Sequence, residues 1–359
     1  MKAEGRPWRR ACAVVLLAAW TVSIGRAPAG ARPIVQSGQP REAWVRVATW
    51  ASQAQALPPT AFQRPTGITV DPFDDTVLVV DSGNDRVQVF ARDGRYLATI
   101  GAAGPPPGGL SNPTGAAISG GRVYVADNGH DRIAVFSIDG VYRSQWTGLG
   151  GPHGVATSSD GRAVFVTENR TSQVAWFSAN GARLGTIGRF GNGDLLNRPE
   201  GLAVLPDGRV VVANTGNQRL TMFDPSGVPI DSTGPLPAGA SPHDVVAGPN
   251  STVWSTETGS TTRPDAVVGR DLTPGLPERG IRLAAPGATG VAVAGDGTVL
   301  ATVRDDNRPL HGVRLWRGTQ LLDEWGTVPA PLGLLGRPSI IAGRSTPTLG
   351  APLRRARRF

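Results

Sequence analysis

One twelve-residue phrase recurs along this chain. VVDSGNDRVQVF fills residues 79–90, and it returns as VADNGHDRIAVF (125–136), VTENRTSQVAWF (166–177) and VANTGNQRLTMF (212–223). The starts lie 46, 41 and 46 residues apart. Each phrase reads as two alternating strands joined by a tight turn. A self-similar unit of 40–50 residues specifies an array or a ring of small sheets rather than one large core.

A second phrase keeps step ahead of the first. It runs RPTGITV (64–70), NPTGAAI (112–118), GPHGVAT (151–157), RPEGLAV (198–204), SPHDVVA (241–247) and GATGVAV (287–293), six openings in all. A third element follows in RDGRYLATIG (92–101), IDGVYRSQW (138–146) and ANGARLGTIG (179–188), each a Gly turn and a strand. One unit is therefore four short strands in a meander. A lone meander cannot bury both of its faces, whereas blades stacked around an axis can. The expectation is an all-β, six-bladed propeller of four-stranded antiparallel blades. A seven-bladed ring is the alternative, because WVRVATWAS (44–52) and GRPSIIAG (336–343) also look like strands and could pair at the seam. Gly83, Gly129 and Gly216 are expected to supply positive-φ turn positions. Asp81 and Asp127 are expected to face Arg86 and Arg132 across the hairpin mouth. Trp146, Trp176, Trp254, Trp316 and Trp325 read as blade core.

The chain ends read differently from its body. MKAEGRPWRR is basic, ACAVVLLAAWTVSIG (11–25) is apolar, and small residues follow around Ala27–Ala31, the pattern of a secretory signal over 1–31. An uncleaved N-terminal anchor is the alternative. The single cysteine, Cys12, lies inside that run, so the exported body would fold without disulfides. Residues 32–61 read as a linker, 62–343 as the propeller and 344–359 as a basic tail. The formal charge of +8 belongs to the ends: residues 34–336 carry 24 Arg against 27 Asp and Glu. A near-neutral body is not a nucleic-acid footprint. Membrane contact is expected only through the signal segment or weakly through the Arg-rich tail, and the chain is expected to be a monomer.

The units resemble NHL repeats, with a Pro-x-Gly opening and a D-x-G-N-x-R hairpin, strongly over residues 62–236 and weakly over 241–328. That resemblance implies a six-bladed propeller. Around its opening, the x of Pro-x-Gly and the end of the next strand form candidate pairs. These are Thr66 with Asp81, Thr114 with Asp127, His153 with Glu168, Glu200 with Asn214, His243 with Glu257, and Thr289 with Val303. Blades three and five depart alike, each with His and Glu. GPHGVATSSDGRAVFVTEN and SPHDVVAGPNSTVWSTETG resemble blades of streptogramin (virginiamycin B) lyases. This second resemblance implies His243 and His153 as acid/base groups and Glu168 and Glu257, with the two His, as ligands of a divalent ion (Mg, Zn or Ca). Peptidyl-hydroxyglycine lyases are similar propellers with three zinc-binding His, of which this chain offers two. The alternative is that x is a polar rim position where Thr, Glu and His interchange. The leading expectation is an exported binding or scaffold module for a protein, peptide or glycan of the bacterial envelope, with Thr66, Thr114, Glu200, Asp81, Asp127 and Asn214 as ligand contacts. A metal-dependent lyase is the alternative, and the sequence leaves enzymatic activity open. His130 reads as a turn residue and His311 has no evident role.

Overall fold

The computed structural model describes residues 62–325, except 192–194, 234–235, 237–238, 250–251, 260–263, 272–279 and 305–310. The signal, linker and tail expected from sequence, and the candidate strands 44–52 and 336–343, lie outside the described residues. Within them, six four-stranded antiparallel sheets follow one another, each with its strands in chain order. The blades span 65–100, 113–146, 152–187, 202–232, 241–284 and 288–325.

The ring closes with six blades, not seven. Each seam holds its own apolar cluster. Leu78, Val80 and Val87 of blade one meet Val123, Val125 and Phe136 of blade two, and the pattern repeats around the ring. At the closing seam Val77, Val79 and Phe90 pack on Leu300, Val313 and Leu315 of blade six. Trp325 lies 4.9 Å from the Phe90 ring across that seam. Arg92 of blade one also bridges Asp75 at 3.0 Å and Asp296 of blade six at 2.6 Å. Blade six supplies all four of its own strands, ending at Gln320–Trp325, so no strand is borrowed across the seam among the described residues. Trp146, Trp254 and Trp316 are buried, and Trp176 and Trp325 pack partly against the core.

The hairpin phrase now has a physical account, with one correction. Asp81 faces Arg86 at 2.8 Å and Asp127 faces Arg132 at 2.7 Å. The turn glycines do not take positive φ. The left-handed residue is Asp85 (φ 51°), Asp131 (φ 52°) or Gln218 (φ 55°), at the end of a short 3-10 turn. Glycine is needed for close approach instead. The N–H of Gly83 donates to the Gln63 carbonyl at 2.7 Å, and a Cβ at Gly83 would sit 2.6 Å from that oxygen. Gly129 and Gly216 meet Ser111 and Asn197 in the same way. The repeated phrase thus clamps each hairpin to the segment leading into its own blade.

Candidate functional site

The inner strands of the blades enclose a channel of about 790 Å³. In five blades the inner strand opens with its Pro-x-Gly or equivalent and a register break falls there, and in blade four Pro199-Glu200-Gly201 leads directly into the inner strand. Pro113 faces Asp127 but Gly115 faces Ala126, leaving Thr114 unpaired. The same break surrounds His243, between Pro242 and Asp244, and Thr289, between Ala288 and Gly290. A bulge re-aims the side chain it releases. All six x residues, Thr66, Thr114, His153, Glu200, His243 and Thr289, line the channel.

The strand-end partners do not join them, because the bulge separates two residues that simple antiparallel pairing would hold together. Asp81, Asp127, Glu168, Asn214 and Glu257 are all buried, and none lines the channel. Each serves its own blade. Asp81 accepts from the Gln63 N–H at 2.7 Å, from Asn84 at 2.9 Å and from Gln88 at 2.8 Å, besides Arg86. Asp127 accepts from the Ser111 N–H at 2.7 Å and pairs with His130 at 2.9 Å, so His130 fills the slot of Asn84. Glu168 accepts from the Gly150 N–H at 2.8 Å, Gln173 at 2.5 Å and Arg183 at 3.0 Å. Asn214 accepts from the Asn197 N–H at 2.8 Å and donates to Thr221 at 3.0 Å. Glu257 pairs with Arg270 and with Arg282. Val303, the sixth strand end, is buried as well.

A divalent-ion set drawn from Glu168 and Glu257 therefore does not fit this geometry: both carboxylates are saturated inside their blades. Of the four expected ligands, His153 and His243 reach the channel. Among the described residues no three His, Cys, Asp or Glu side chains converge as a metal cluster would. His311 stays apart, its Nδ1 buried without a hydrogen-bond partner.

The x residues divide into two groups. Around the ring, the backbone carbonyl of every x residue accepts a hydrogen bond from the preceding blade. Thr66 Oγ1 donates to Thr114 O at 2.9 Å, and Thr114 Oγ1 to His153 O at 2.9 Å. Thr167 Oγ1 donates to Glu200 O, and the Gly201 N–H to His243 O at 2.8 Å. Thr256 Oγ1 donates to Thr289 O at 3.2 Å, and Thr302 Oγ1 to Thr66 O at 3.2 Å. In blades one and two the x side chain itself makes this bond, and Thr289 of blade six donates to Pro65 O at 2.8 Å. In blades three to six this carbonyl bond comes from elsewhere, from a Thr one residue before the strand end (Thr167, Thr256, Thr302) or a backbone amide, and only in blade six does the x side chain still bond the next blade as well. The x side chains of blades three, four and five, His153, Glu200 and His243, are released from ring-building.

Those three form one electrostatic group. His243 Nδ1 lies 2.6 Å from Glu200 Oε2. Burial opposes charge on His243, but the Glu200 hydrogen bond and charge, with Asp265 and Asp244, outweigh it and raise its pKa. Burial also opposes ionisation of Glu200, and the His243 hydrogen bond with the nearby His153 and His243 charges overcomes it, so its pKa falls. Burial lowers the His153 pKa, with His243 adding to the effect against the pull of Glu200. Burial thus favours the neutral form of His153, while the hydrogen bond between Glu200 and His243 favours their charged forms.

Sequence reasoning missed Asp244. It stands where five of the six openings carry Gly67, Gly115, Gly154, Gly201 and Gly290, and that break in the column was the available signal. Those glycines let adjacent inner strands touch; a Cβ at Gly115, for example, would lie 2.6 Å from the His153 carbonyl oxygen. Asp244 instead reaches from blade five to the Val291 N–H of blade six at 3.0 Å and caps its own neighbour Val245 at 2.9 Å. Burial pushes its pKa up to about 7, with Glu200 adding to the rise against these two amides and His243.

The NHL-repeat family model matches residues 62–90, 110–136 and 196–223. The chain thus carries NHL repeats on a six-bladed propeller. No curated protein matches it by sequence. Several solved structures share the fold. Virginiamycin B lyase from Staphylococcus aureus is 16% identical with a TM-score of 0.53, over 74% of this chain and 86% of that one. Hydrazine synthase from Kuenenia stuttgartiensis is 18% identical with a TM-score of 0.54, over 74% and 80%. A gluconolactonase from Xanthomonas campestris is 18% identical with a TM-score of 0.55, over 71% and 86%. Three different activities on one architecture mean that function has to be argued from the site.

Proposed function

We propose that this propeller is a binding module of the cell envelope whose ligand seat is the channel opening at blades three to five. One observation carries the proposal. Three adjacent blades present His153, Glu200 and His243 to the channel, their side chains free of the ring bonds that Thr66, Thr114 and Thr289 make, while other donors of the same blades keep the ring bonded. Titratable groups shifted in opposite directions inside one cavity mark a site of recognition or chemistry. The envelope setting follows from the signal-like N-terminal sequence, and a peptide or glycan of that compartment is the ligand class.

The test is retention of peptides and glycan fragments from a digested envelope preparation on the immobilised chain. Retained species are identified by mass, then titrated in purified form by calorimetry. The wild type and Thr66→Val should bind alike, and Glu200→Gln/His243→Ala should lose at least about tenfold in affinity. Equal binding by the double variant would place the ligand elsewhere and sink the proposal.

A further inference from the structure

The channel is chemically two-ended. Every ionisable lining residue lies at the opening: His153, Glu200, His243, Asp244, Asp265 and Arg304. The shaft beyond carries none, and its wall includes Val70, Ala116, Ala156, Val204, Val246 and Ala247. These side chains are only partly buried, so apolar surface faces the channel. A ligand filling such a space has a polar head and an apolar stem.

The head can be specified further. Three carboxylates, Glu200, Asp244 and Asp265, stand at the opening. Asp244 and Asp265 accept backbone amides with both oxygens, Asp244 from Val245 and Val291, and Asp265 from Gly259 and Gly287. Glu200 gives Oε2 to His243, while Oε1 accepts from no described residue. His153 makes no side-chain hydrogen bond to a described residue either, and as a neutral ring it offers a lone pair. Of the two cations, His243 is already paired with Glu200, and Arg304 belongs to blade six, two blades from Glu200. A carboxylate head would face Glu200 Oε1 and the His153 lone pair, acceptors with no donor to offer it. A primary ammonium has three N–H donors for these acceptors.

We infer that the channel seats a primary ammonium group on a slender apolar stem, with the ammonium between Glu200 Oε1 and His153 and the stem in the shaft. This rests on the opening being a ligand seat, and it names what that seat takes. Two sources share this chemistry: a small alkylamine, and the free N-terminus of an apolar peptide.

Calorimetry on the full chain, with probes below their micellar concentrations, tests the inference. Ethylamine, butylamine and octylamine form a length series, and octanol and octanoate vary the head. The tripeptide amide Leu-Val-Ala and its N-acetyl form represent the peptide source. Affinity should rise along the amine series, by up to about fourfold per methylene. Octylamine should bind at least about tenfold more tightly than octanol or octanoate, and Glu200→Gln should erase that preference. Acetylation should weaken the tripeptide by a similar factor; whichever of octylamine and the free tripeptide binds more tightly identifies the source. Because Glu200→Gln could disturb the opening, the length and head series on the wild type stand alone as a test. Affinity indifferent to length would remove the stem from the shaft. Equal or tighter binding of octanoate would overturn the ammonium. If envelope peptides or glycans bind through Glu200 and His243 while no amine does, this inference falls and the proposed function survives.

Discussion

Blades one, two and six differ from blades three, four and five at the residue that opens the inner strand, and the difference separates side chains that build the ring from side chains that do not. In the first half-ring, Thr66, Thr114 and Thr289 use their hydroxyls to bond the next blade. In the second, His153, Glu200 and His243 do not, and Thr167, Gly201 N–H and Thr256 make the bond to the next blade, as Thr302 also does in blade six. A ring can release a side chain for function only when another donor takes its structural bond. The same division holds along each unit: the strand-end acids are structural everywhere, including in the half-ring that carries the candidate site.

The largest expected effect tests that last statement. Among the described residues Asp127 is the one carboxylate on Arg132, whose side chain is 1% exposed, and Asp127→Ala leaves that guanidinium only the neutral oxygens of Pro107, Gly109 and Gln145. A buried charge that loses its counter-ion costs about 3–5 kcal/mol, and these neutral acceptors place the loss at the lower end. Chemical denaturation should show a loss of that order, with ligand affinity unchanged in whatever protein remains folded. A loss below about 1 kcal/mol would mean that the strand-end acid does not hold the blade.

Asp244 should show the opposite sign. Its folded pKa is raised to about 7 from 3.8. The unfolded chain therefore releases this proton first, so stability falls as pH rises from about 3.8 to about 7 and stays reduced above. Asp244→Gly restores the residue of the other five openings. It should gain about 1–2 kcal/mol at pH 8, after allowing for the two lost amide acceptor bonds, and little or nothing at pH 4. Denaturation midpoints at the two pH values check this. A gain that does not depend on pH would assign the effect to packing.

The half-ring comparison itself is tested by Thr167→Val and Thr114→Val. Thr167 donates to Glu200 O and accepts from the Gly154 N–H at 2.7 Å, so its loss should cost about 2 kcal/mol. Thr114→Val removes one donor and should cost about 1 kcal/mol. The Thr167 change should also weaken ligand binding, because the Glu200 backbone is no longer held, whereas the Thr114 change should shift binding less. Equal effects on binding would dissolve the distinction between the halves.

What the sequence made legible follows from what repeats. Six openings, four strands per unit and the Asp–Arg hairpin pairs were visible because blade geometry imposes the same residue at the same step. The channel-facing x column was visible for the same reason, including its break at His153, Glu200 and His243. Two things were not. The one-residue bulge at Thr114 or His243 leaves no residue signature of its own, so Glu168 and Glu257 read as channel partners when they point into their blades. The turn glycines read as positive-φ sites because close approach to Gln63, Ser111 or Asn197 depends on a segment about twenty residues away. Asp244 was readable as a break in the glycine column, but its meaning depends on the neighbouring blade supplying the Val291 N–H.

The smallest expected effect is the most specific to the site. Folding raises the His243 pKa above 6.5, so its contribution is complete below that value and fades as pH rises through the folded one. Folding lowers the Glu200 pKa below 4.5, so its contribution is complete above that value and fades as pH falls through the folded one. Both are fully present together only between about 4.5 and 6.5. Glu200→Gln should therefore cost most in that window, about 1 kcal/mol or less, because both side chains are partly open to channel water. Asp244 titrates across the same range, and Glu200 is one of the charges that raises its pKa, so its titration would mix with the effect. The measurement belongs in the Asp244→Gly background, where the slope from residue 244 is gone. A stability difference that peaks near pH 5.5 supports the ion pair; a flat difference would mean that Glu200 and His243 meet as neutral groups, and an opening built to hold a charge would lose its anchor.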